Sequence, residues 1–332
     1  MTALLAAERE RAHPRHVVVL ALDGVPLELA RVSWSQAHVT AMRAVFPTTS
    51  SAGWLSSTTG LTVDEHGVPG VVFTVCGRLI DVFQEVVVDL CPIYDNLFGD
   101  ATRLGYAPLA LLGDLQNLPG RWRNVLLAGA RQTPGPALFT RADGAATAAS
   151  VLRTALVHWI QASDHHPKLV WCHVDIDAHI HRHGYDAPVQ AFLEAVDRLA
   201  GDLADRGAVV IAYSDHGLVP TTHDSAVAGL LERAQRDLGC RLGGAGRTRW
   251  LYTPEFRDGE VRDFLAQSLP ASIRILTSDE VFDPGGQSHS RVGSLVLVAE
   301  GEGFLVRPGD TYEHGSTTSA EVDIPLAQWG GI

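Results

Sequence analysis

The chain has 332 residues, and its 26 Lys and Arg against 38 Asp and Glu give a formal net charge of −12 at pH 7. Hydrophobic residues make up 46% and charged residues 19%, which is typical of a globular protein and excludes a disordered chain. The acidic balance argues against binding a nucleic-acid polymer, because phosphate backbones are bound by dense Lys and Arg. A small phosphorylated ligand remains compatible with it, since a bound metal can reverse the local charge.

The cysteines and the N-terminal segment bear on the compartment. The cysteines are scattered without a C-x-x-C pair, which fits neither a disulfide framework nor a zinc finger: Cys76, Cys91, Cys172 and Cys240. Residues 1–16 are helix-like and have no apolar stretch after a basic start, so we predict no signal peptide. There is no uncharged apolar run of about 18 residues, so we expect no membrane partner. We therefore expect a cytoplasmic protein of undetermined oligomeric state.

The first predicted element after the N-terminal segment is a buried strand at residues 16–22, followed by Asp23-Gly24. Its continuous apolarity indicates a strand covered on both faces, as in a parallel sheet. Similar runs occupy residues 107–112, 168–174 and 208–213. Helix-like segments alternate with the runs: 92–104, 145–162 and 189–205. This alternation predicts an α/β fold with a doubly wound, mostly parallel sheet and helices on both faces.

The remaining segments are less regular. Residues 133–136 form a predicted loop or boundary, and residues 225–290 a small insert or cap. Residues 294–299 and 304–306 resemble a hairpin that returns to the sheet. We therefore predict a single domain over residues 1–332, with an insert at about 225–290.

Acidic residues and a histidine follow three of the four predicted strands. They are Asp23, then Asp175 and Asp177, and finally Asp215 with His216. Ligands of open α/β sheets bind beyond the carboxyl ends of the strands, so we expect these side chains to converge. Each alone is as well explained as a turn former or a helix N-cap. Their joint occurrence with histidines favours a shared site.

The residue types in this group favour a metal site. Asp177 and His181 are four residues apart, so a helical turn places both on one face. A late His314 precedes Gly315, where a glycine permits close backbone approach. Carboxylates and imidazoles without thiolates suit zinc, with manganese or iron as alternatives.

A hydroxyl-rich segment at residues 46–61 precedes His66-Gly67. Such a segment can present a Ser or Thr oxygen at a helix N-terminus, where backbone N–H groups and the helix dipole favour an anion. The alternative is an ordinary N-cap followed by a Ser/Thr-rich helix.

Taken in order, these motifs resemble the alkaline phosphatase superfamily, in particular its type I phosphodiesterases and nucleotide pyrophosphatases. That family has Asp-Gly, Pro-Thr-x-Ser/Thr, Thr-Gly-Leu, His-Gly, Asp-x-x-x-His-x-x-Gly, Ser-Asp-His-Gly and a late His-Gly. This chain has the same series at residues 23–24, 47–50, 59–61, 66–67, 177–184, 214–217 and 314–315. The resemblance covers nearly the whole chain.

The resemblance implies an alkaline-phosphatase-like three-layer α/β sandwich that holds two metal ions. By position, the ligands of a first zinc would be Asp177, His181 and His314, and those of a second zinc Asp23, Asp215 and His216. Ser50 stands where the family has its nucleophile and would bridge to the second ion, with Thr49 and Ser51 as alternatives. The implied function is hydrolysis of a phosphodiester or nucleotide-type pyrophosphate bond in a small substrate, through a phosphoseryl intermediate.

One departure from the family concerns the substrate. Gly53 stands three positions after Ser50, where the family usually has Asn, and this weakens the case for a nucleotide. Gly53 and Trp54 are candidate substrate contacts, and Trp54 would stack on the substrate, although core packing is the alternative for Trp54. His223 is a candidate contact to substrate or metal. Candidates for holding a phosphoryl oxygen are Arg121, Arg123, Arg247 and Arg249.

Other functions share the same metal ligands. A phosphomonoesterase or a phosphonate hydrolase would use the same two ions. A non-catalytic member would be expected to have lost ligands. A phosphomutase of the superfamily would carry a long insertion, for which residues 70–130 are too short.

Overall fold

The computed structural model describes residues 1–118, 120–135, 144–161 and 166–331. Its strands are β1 Val17–Asp23, β2 His38–Arg43, β3 Val72–Val75, β4 Arg78–Asp81, β5 Ala107–Leu111, β6 Arg131–Thr133, β7 Lys168–Asp175, β8 Val209–Tyr213, β9 Val219–Pro220, β10 Thr222–His223, β11 Arg241–Ala245, β12 Thr248–Tyr252, β13 Ile273–Thr277, β14 Leu295–Ala299, β15 Gly303–Phe304, β16 Tyr312–Glu313 and β17 Asp323–Trp329.

The α-helices are α1 Thr2–Arg9, α2 Leu27–Ser33, α3 Ser50–Thr59, α4 Val63–His66, α5 Leu97–Arg103, α6 Gly120–Leu126, α7 Ala145–Gln161, α8 Asp177–His183, α9 Ala187–Asp205, α10 Ser225–Leu238, α11 Asp258–Ala266, α12 Ser278–Val281 and α13 Ser319–Val322. Two 3₁₀ turns lie at Gly113–Asn117 and His289–Arg291. Among the described helices, none combines the length and the apolarity needed to cross a bilayer.

The main sheet has the strand order β2-β17-β8-β1-β7-β5-β6. The strands from β8 to β6 run parallel, whereas β17 and β2 add an antiparallel edge. The four strands predicted from continuous apolar runs are β1, β5, β7 and β8, and β1 is buried over its whole length. The prediction of a mostly parallel central sheet is therefore confirmed.

Alternate residues of β1 face two different cores. Val17, Val19 and Ala21 pack on the side of α3, α5 and α6, whereas Val18 and Leu20 pack on the side of α2, α7 and α9. This alternation is the geometry of a strand, whose successive side chains point to opposite faces. Helices therefore cover both faces of the sheet, as predicted.

Local capping accounts for the small differences in helix bounds. The helix predicted at 92–104 begins only at Leu97, because the Asn96 side chain accepts hydrogen bonds from the backbone N–H groups of Phe98 and Gly99. The helix predicted from residue 189 begins earlier, at Ala187, because Asp186 is its N-cap. Residues 136 and 162, at the ends of a predicted loop and a predicted helix, lie outside the described residues.

A second sheet has the order β13-β14-β12-β11-β3-β4. One face, with Trp250 and Val296, packs into the core that contains α3, and the other face packs against α10 and α11. The segment predicted as an insert supplies β11, β12 and β13, while β3, β4 and β14 come from elsewhere in the chain. A single domain with a small insert stays a prediction.

The predicted hairpin at 294–306 is wrong. Strand β14 pairs with β12 and β13 in the second sheet, and β15 pairs with β10 instead. All five residues of β14 pair with β13 and four of them also pair with β12, whereas β15 has two residues and both pair with β10.

Candidate metal centre

The carboxyl ends of three neighbouring strands define the site. Strand β1 lies between β8 and β7, and Asp23 is paired in register with Asp175. Asp215 comes two residues after the end of β8. The parallel arrangement therefore brings these carboxylates to one edge of the sheet, as the sequence predicts.

The residues predicted for the second metal ion form one compact group. Asp23, Asp215 and His216 each offer a ligand atom, all within 4.8 Å of one another. The His216 Nε2 atom lies 3.6 Å from Asp23 Oδ1 and 3.3 Å from Asp215 Oδ2. All three residues are buried, so they face each other rather than solvent.

The residues predicted for the first ion are close but divide between two groups. The His181 Nε2 atom lies 3.1 Å from Asp177 Oδ2, and His314 Nε2 lies 3.9 Å from Asp177 Oδ1. One compact group joins Asp177 and His314 to His216, and the other joins His181 and His314 to Glu313. The sequence analysis does not name Glu313 as a metal ligand. The sequence feature that could have indicated it is its position directly before His314.

Backbone carbonyls orient two of the histidines. Nδ1 of His181 donates a hydrogen bond to the Tyr312 carbonyl at 2.8 Å, and Nδ1 of His314 donates to the Thr48 carbonyl at 2.6 Å. These bonds keep each Nδ1 protonated and direct each Nε2 toward the carboxylates. The rings of His216 and His314 are stacked, with their centroids 3.8 Å apart.

Several buried carboxylate oxygens suit a cation. Among the described residues, both carboxylate oxygens of Asp215 and Oδ1 of Asp177 are buried without a hydrogen-bond partner. Burial, together with the nearby Asp23 and Asp177, raises the pKa of Asp215 well above its usual value. The same causes raise the pKa of Asp175 to about 7. Crowded carboxylates that favour a proton also favour a metal ion, so the donor set fits divalent cations.

The negative charge of the nearby carboxylates strongly affects the pKa of the His181 imidazole. Its burial opposes a positive charge, but the Asp177 carboxylate outweighs that effect and raises the pKa of His181 to about 10. Asp177 and His181 lie four residues apart on α8, which confirms the helical spacing expected for them.

Helix α3 carries the candidate nucleophile at its first residue. The Ser50 hydroxyl donates to Asp23 Oδ1 at 3.3 Å and lies 3.1 Å from His216 Nε2. The hydroxyls of Thr49 and Ser51 are buried and face each other at 3.4 Å. Of these three described hydroxyls, that of Ser50 is the one in contact with residues predicted as metal ligands.

The two residues proposed after Ser50 as substrate contacts have other surroundings. A Cβ atom on Gly53 would lie 2.9 Å from the Cβ of Asp215, so the glycine lets α3 pack directly against a metal ligand. Trp54 is fully buried, and its indole N–H donates to Asp23 Oδ2 at 3.3 Å. Its ring therefore packs in the core and supports Asp23, which leaves no face for stacking on a substrate.

His173 also lies beside Asp23, although the sequence offered no role for it. It is buried, and its Nε2 atom lies 3.4 Å from Asp23 Oδ2. Its ring packs edge to face against Trp54, with the centroids 5.5 Å apart. His173 is two residues before Asp175 on β7, so both side chains lie on the same face of the sheet. This spacing is the sequence feature that could have identified it.

The four candidate arginines separate into two classes. Arg247 is buried in an ion pair with Glu321, Arg121 pairs with Asp89 at 2.7 Å, and Arg123 donates to backbone carbonyls. Arg123 and Arg249 each keep a buried Nε atom without a hydrogen-bond partner among the described residues. Both therefore retain an unused donor that a phosphoryl oxygen could accept.

Two further histidines complete the predicted set. His223 is an exposed residue of β10 and belongs to none of the three ligand groups found in the described part of the chain. His66 shapes the turn that follows it, because its Nδ1 accepts the backbone N–H of Val68 while Gly67 adopts a φ of 71°.

No protein-family model matches this sequence, and no curated protein matches it significantly. Murine ectonucleotide pyrophosphatase/phosphodiesterase 5 is similar in structure, with a TM-score of 0.70 at 17% identity over 96% of this chain and 88% of that chain. Phosphonoacetate hydrolase from Sinorhizobium meliloti 1021 has a TM-score of 0.68 at 18% identity over 96% and 91%. Human ectonucleotide pyrophosphatase/phosphodiesterase 5 has a TM-score of 0.67 at 14% identity over 95% and 88%. The chain therefore has the alkaline-phosphatase-like α/β fold that these structures share.

Proposed function

We propose that this chain is a metal-dependent hydrolase of phosphoric esters with Ser50 as its nucleophile. The observation that carries the proposal is the contact of the Ser50 hydroxyl with Asp23 and His216 at the start of α3. A hydroxyl among buried carboxylates and imidazoles at a helix N-terminus suits attack on an anionic phosphorus centre.

The residues of the cluster have separate parts in this reaction. Two bound divalent ions would lower the pKa of the Ser50 hydroxyl and offset the charge of the attacking and leaving oxygens. Asp23 accepts the Ser50 hydrogen bond and so directs a lone pair of Oγ away from itself. Ser50 Oγ attacks phosphorus in line with the leaving oxygen, the bond between phosphorus and that oxygen breaks, and the leaving oxygen takes up the proton that Ser50 gives up. Water then attacks the phosphoseryl ester, the bond between phosphorus and Oγ breaks, and a proton of that water restores the Ser50 hydroxyl.

Two zinc ions are the proposed cofactors, with manganese or iron as alternatives. Three carboxylates and three imidazoles without a thiolate make a donor set that zinc accepts and that manganese and iron share. The proposed ligands of one ion are Asp177, His181 and His314, and those of the other Asp23, Asp215, His216 and Ser50.

The proposed substrate is a small molecule with a phosphodiester or a nucleotide-type pyrophosphate bond. A variant of the murine relative is described as inactive and in complex with AMP, which supports a nucleotide-like ligand. The second candidate is a phosphonate, because the structure of the bacterial relative holds phosphonoacetate and covers a similar share of this chain. A phosphomonoester is the remaining alternative for an active member, and a non-catalytic member the alternative without turnover.

A comparison of hydrolysis rates separates these candidates. The zinc-loaded protein is given a bis-aryl phosphate, a nucleotide aryl ester, an aryl phosphate and phosphonoacetate. We expect the highest kcat/KM for one of the two diesters. A preference for phosphonoacetate would establish the second candidate instead, and hydrolysis of none of the four would contradict the proposal.

Three variants locate the nucleophile. We expect Ser50→Ala to lower kcat by about a thousandfold or more while the metal content stays the same. Thr49→Ala and Ser51→Ala remove the neighbouring hydroxyls and should retain most of the activity. If Ser50→Ala kept a normal kcat and one of the other two lost it, the nucleophile would be that other residue.

A further inference from the structure

Glu313 is a buried carboxylate beside the first metal site that neither the motifs nor the proposed reaction uses. It lies in β16, opposite Val219 of β9, and is 6% exposed. With His181 and His314 it forms a compact group of three possible ligands. The group therefore contains two residues of the proposed first site and one new carboxylate.

The Glu313 carboxylate is aimed at this site. Its Oε1 atom accepts the backbone N–H of His314 at 3.1 Å. The same oxygen lies 3.8 Å from His314 Nε2, the nitrogen that faces Asp177. It lies 3.7 Å from His181 Nδ1, the nitrogen that donates to the Tyr312 carbonyl, so it approaches the His181 ring from the side opposite to Nε2. A backbone N–H thus holds one oxygen on the side of His314 that also faces Asp177.

No Lys or Arg of the described residues forms an ion pair with Glu313. No Lys or Arg nitrogen lies within 4.0 Å of its carboxylate, and its ion-pair contacts are the two imidazoles of His181 and His314. Arg249 interacts with it electrostatically, but the Arg249 guanidinium donates its hydrogen bond to the Gly244 carbonyl. Imidazoles that bind a metal ion are neutral, so the ion would then supply the positive charge that a buried carboxylate needs.

A glycine makes room for this carboxylate. A Cβ atom on Gly246 would lie 3.0 Å from Glu313 Oε1 and 2.0 Å from the His314 carbonyl oxygen. Any other residue at position 246 would therefore overlap the His314 backbone and crowd the Glu313 carboxylate. The backbone of Gly246 thus packs directly against both residues.

We propose that Glu313 is a further ligand of the first metal ion, which then has two carboxylates and two imidazoles: Asp177, His181, Glu313 and His314. This inference rests on the proposed two-metal site. The second carboxylate strengthens binding by adding negative charge. It also makes the site more favourable to manganese, because carboxylate donors suit manganese more than thiolate or imidazole donors do.

Metal titration of demetallated protein tests the inference without using activity. An Asp215→Asn background removes the second site, so calorimetric titration with Zn²⁺ or Mn²⁺ reports the first site alone. We expect Glu313→Gln in this background to raise the dissociation constant at least about tenfold, with a larger rise for Mn²⁺ than for Zn²⁺. Glu300→Gln is the matched control, since Glu300 is exposed and pairs with Arg274, and it should leave both constants unchanged.

A second variant keeps the test decisive if Glu313→Gln does not fold. Glu313→Asp retains the charge but withdraws the carboxylate by one methylene, so we again expect a weaker first site, with normal thermal unfolding of the metal-free protein. Unchanged dissociation constants in the folded variant would overturn the role of Glu313 and leave the two-metal proposal intact. If the unmutated protein bound neither Zn²⁺ nor Mn²⁺, the proposed function would fail as well.

Discussion

The two carboxylate oxygens of Asp23 have different neighbours. Oδ1 faces Ser50 and His216, whereas Oδ2 accepts the indole N–H of Trp54 and lies 3.4 Å from His173. Burial raises the pKa of Asp23, but contacts with His173, His314 and Trp54 outweigh it, so the net shift is downward. The buried aromatic residues behind Asp23 therefore help to keep it charged and directed at the metal centre.

We predict that Trp54→Phe weakens the second metal site by about tenfold, because it removes the hydrogen bond to Asp23 and keeps an aromatic ring. Trp171→Phe is the matched control. Trp171 is equally buried in the same aromatic cluster, but its N–H donates to the Tyr213 hydroxyl. Zinc titration of both variants measures the effect, and equal losses of affinity would show that only general packing is involved.

His66 gives the stability of the protein a dependence on pH. Its burial, aided by the nearby Arg291, lowers the pKa of His66 to about 4, against about 6.5 for an unfolded histidine. Between these values the unfolded chain binds more protons, so stability rises with pH. The contribution is fully present above about pH 6.5 and is lost as the pH falls toward 4.

We predict that His66→Gln reduces this acid sensitivity. The difference between the pKa values of the unfolded and folded states corresponds to roughly 3 kcal/mol of unfolding free energy. The unmutated protein should therefore lose more unfolding free energy between pH 7 and pH 5 than the variant does. Urea unfolding at the two pH values measures the difference. Equal losses of unfolding free energy in the two proteins would contradict a neutral, buried His66.

At the scale of elements, helix α3 sets the distance between the proposed nucleophile, Ser50, and the proposed metal ligands. Ser50 is its first residue, and Gly53, one turn later, touches Asp215 without a side chain between them. The hydroxyl-rich motif identifies this helix from the sequence. The close approach of Gly53 to Asp215 depends on the tertiary packing of α3 against the end of β8, which local sequence does not encode.

We predict that Gly53→Ala destabilises the protein by about 1–3 kcal/mol and weakens the second metal site, because the added methyl group pushes Asp215 away. Gly229 is also a helical glycine, but no atom lies within 4 Å of a Cβ built on it. Gly229→Ala should therefore stabilise the protein by about 0.4–1 kcal/mol. Urea unfolding measures the change in unfolding free energy for each variant. A stabilising effect of Gly53→Ala would contradict the close packing of Gly53 against Asp215.

At the scale of the whole molecule, the two sheets differ in how far the sequence predicts them. Strands β1, β7 and β8 are buried on both faces, so each one is a continuous apolar run that is visible locally. The second sheet joins strands that are distant in sequence, such as Gly244 paired with Val72. Local periodicity does not specify such partners, which is why the predicted hairpin is wrong.

The same limit applies to the site. The motifs identify the ligands that follow the strands and the hydroxyl segment, because each motif is local. Glu313, His173 and Trp54 acquire their places only when distant strands pack together. The side chains of Trp54 and His173 reach Asp23, and that of Glu313 reaches His181, and each of these partners is more than 25 positions away in the sequence.

A buried ion pair ties the second sheet to the C-terminal part of the chain. Arg247 is 1% exposed and Glu321 fully buried, and Arg247 also donates to the carbonyls of Ala299 and Gly301. We predict that Arg247→Met costs about 3–5 kcal/mol, because it leaves the Glu321 charge buried without its partner.

The control for this prediction is an exposed pair. Arg153 and Asp202 lie 2.9 Å apart with about half of each side chain accessible, 46% and 48%. Arg153→Met should therefore cost less than about 1 kcal/mol. Guanidinium unfolding of both variants gives the comparison, and similar costs would rule out a structural link through Arg247.

The amount of metal bound per chain tests the proposed centre most directly. The protein is reconstituted with zinc, desalted and analysed by plasma mass spectrometry, alongside Asp215→Asn. We predict two zinc ions per unmutated chain and one per Asp215→Asn chain, because Asp215 belongs to the second group only. A folded, unmutated protein that retains no zinc, manganese or iron would contradict a metal centre at this edge of the sheet.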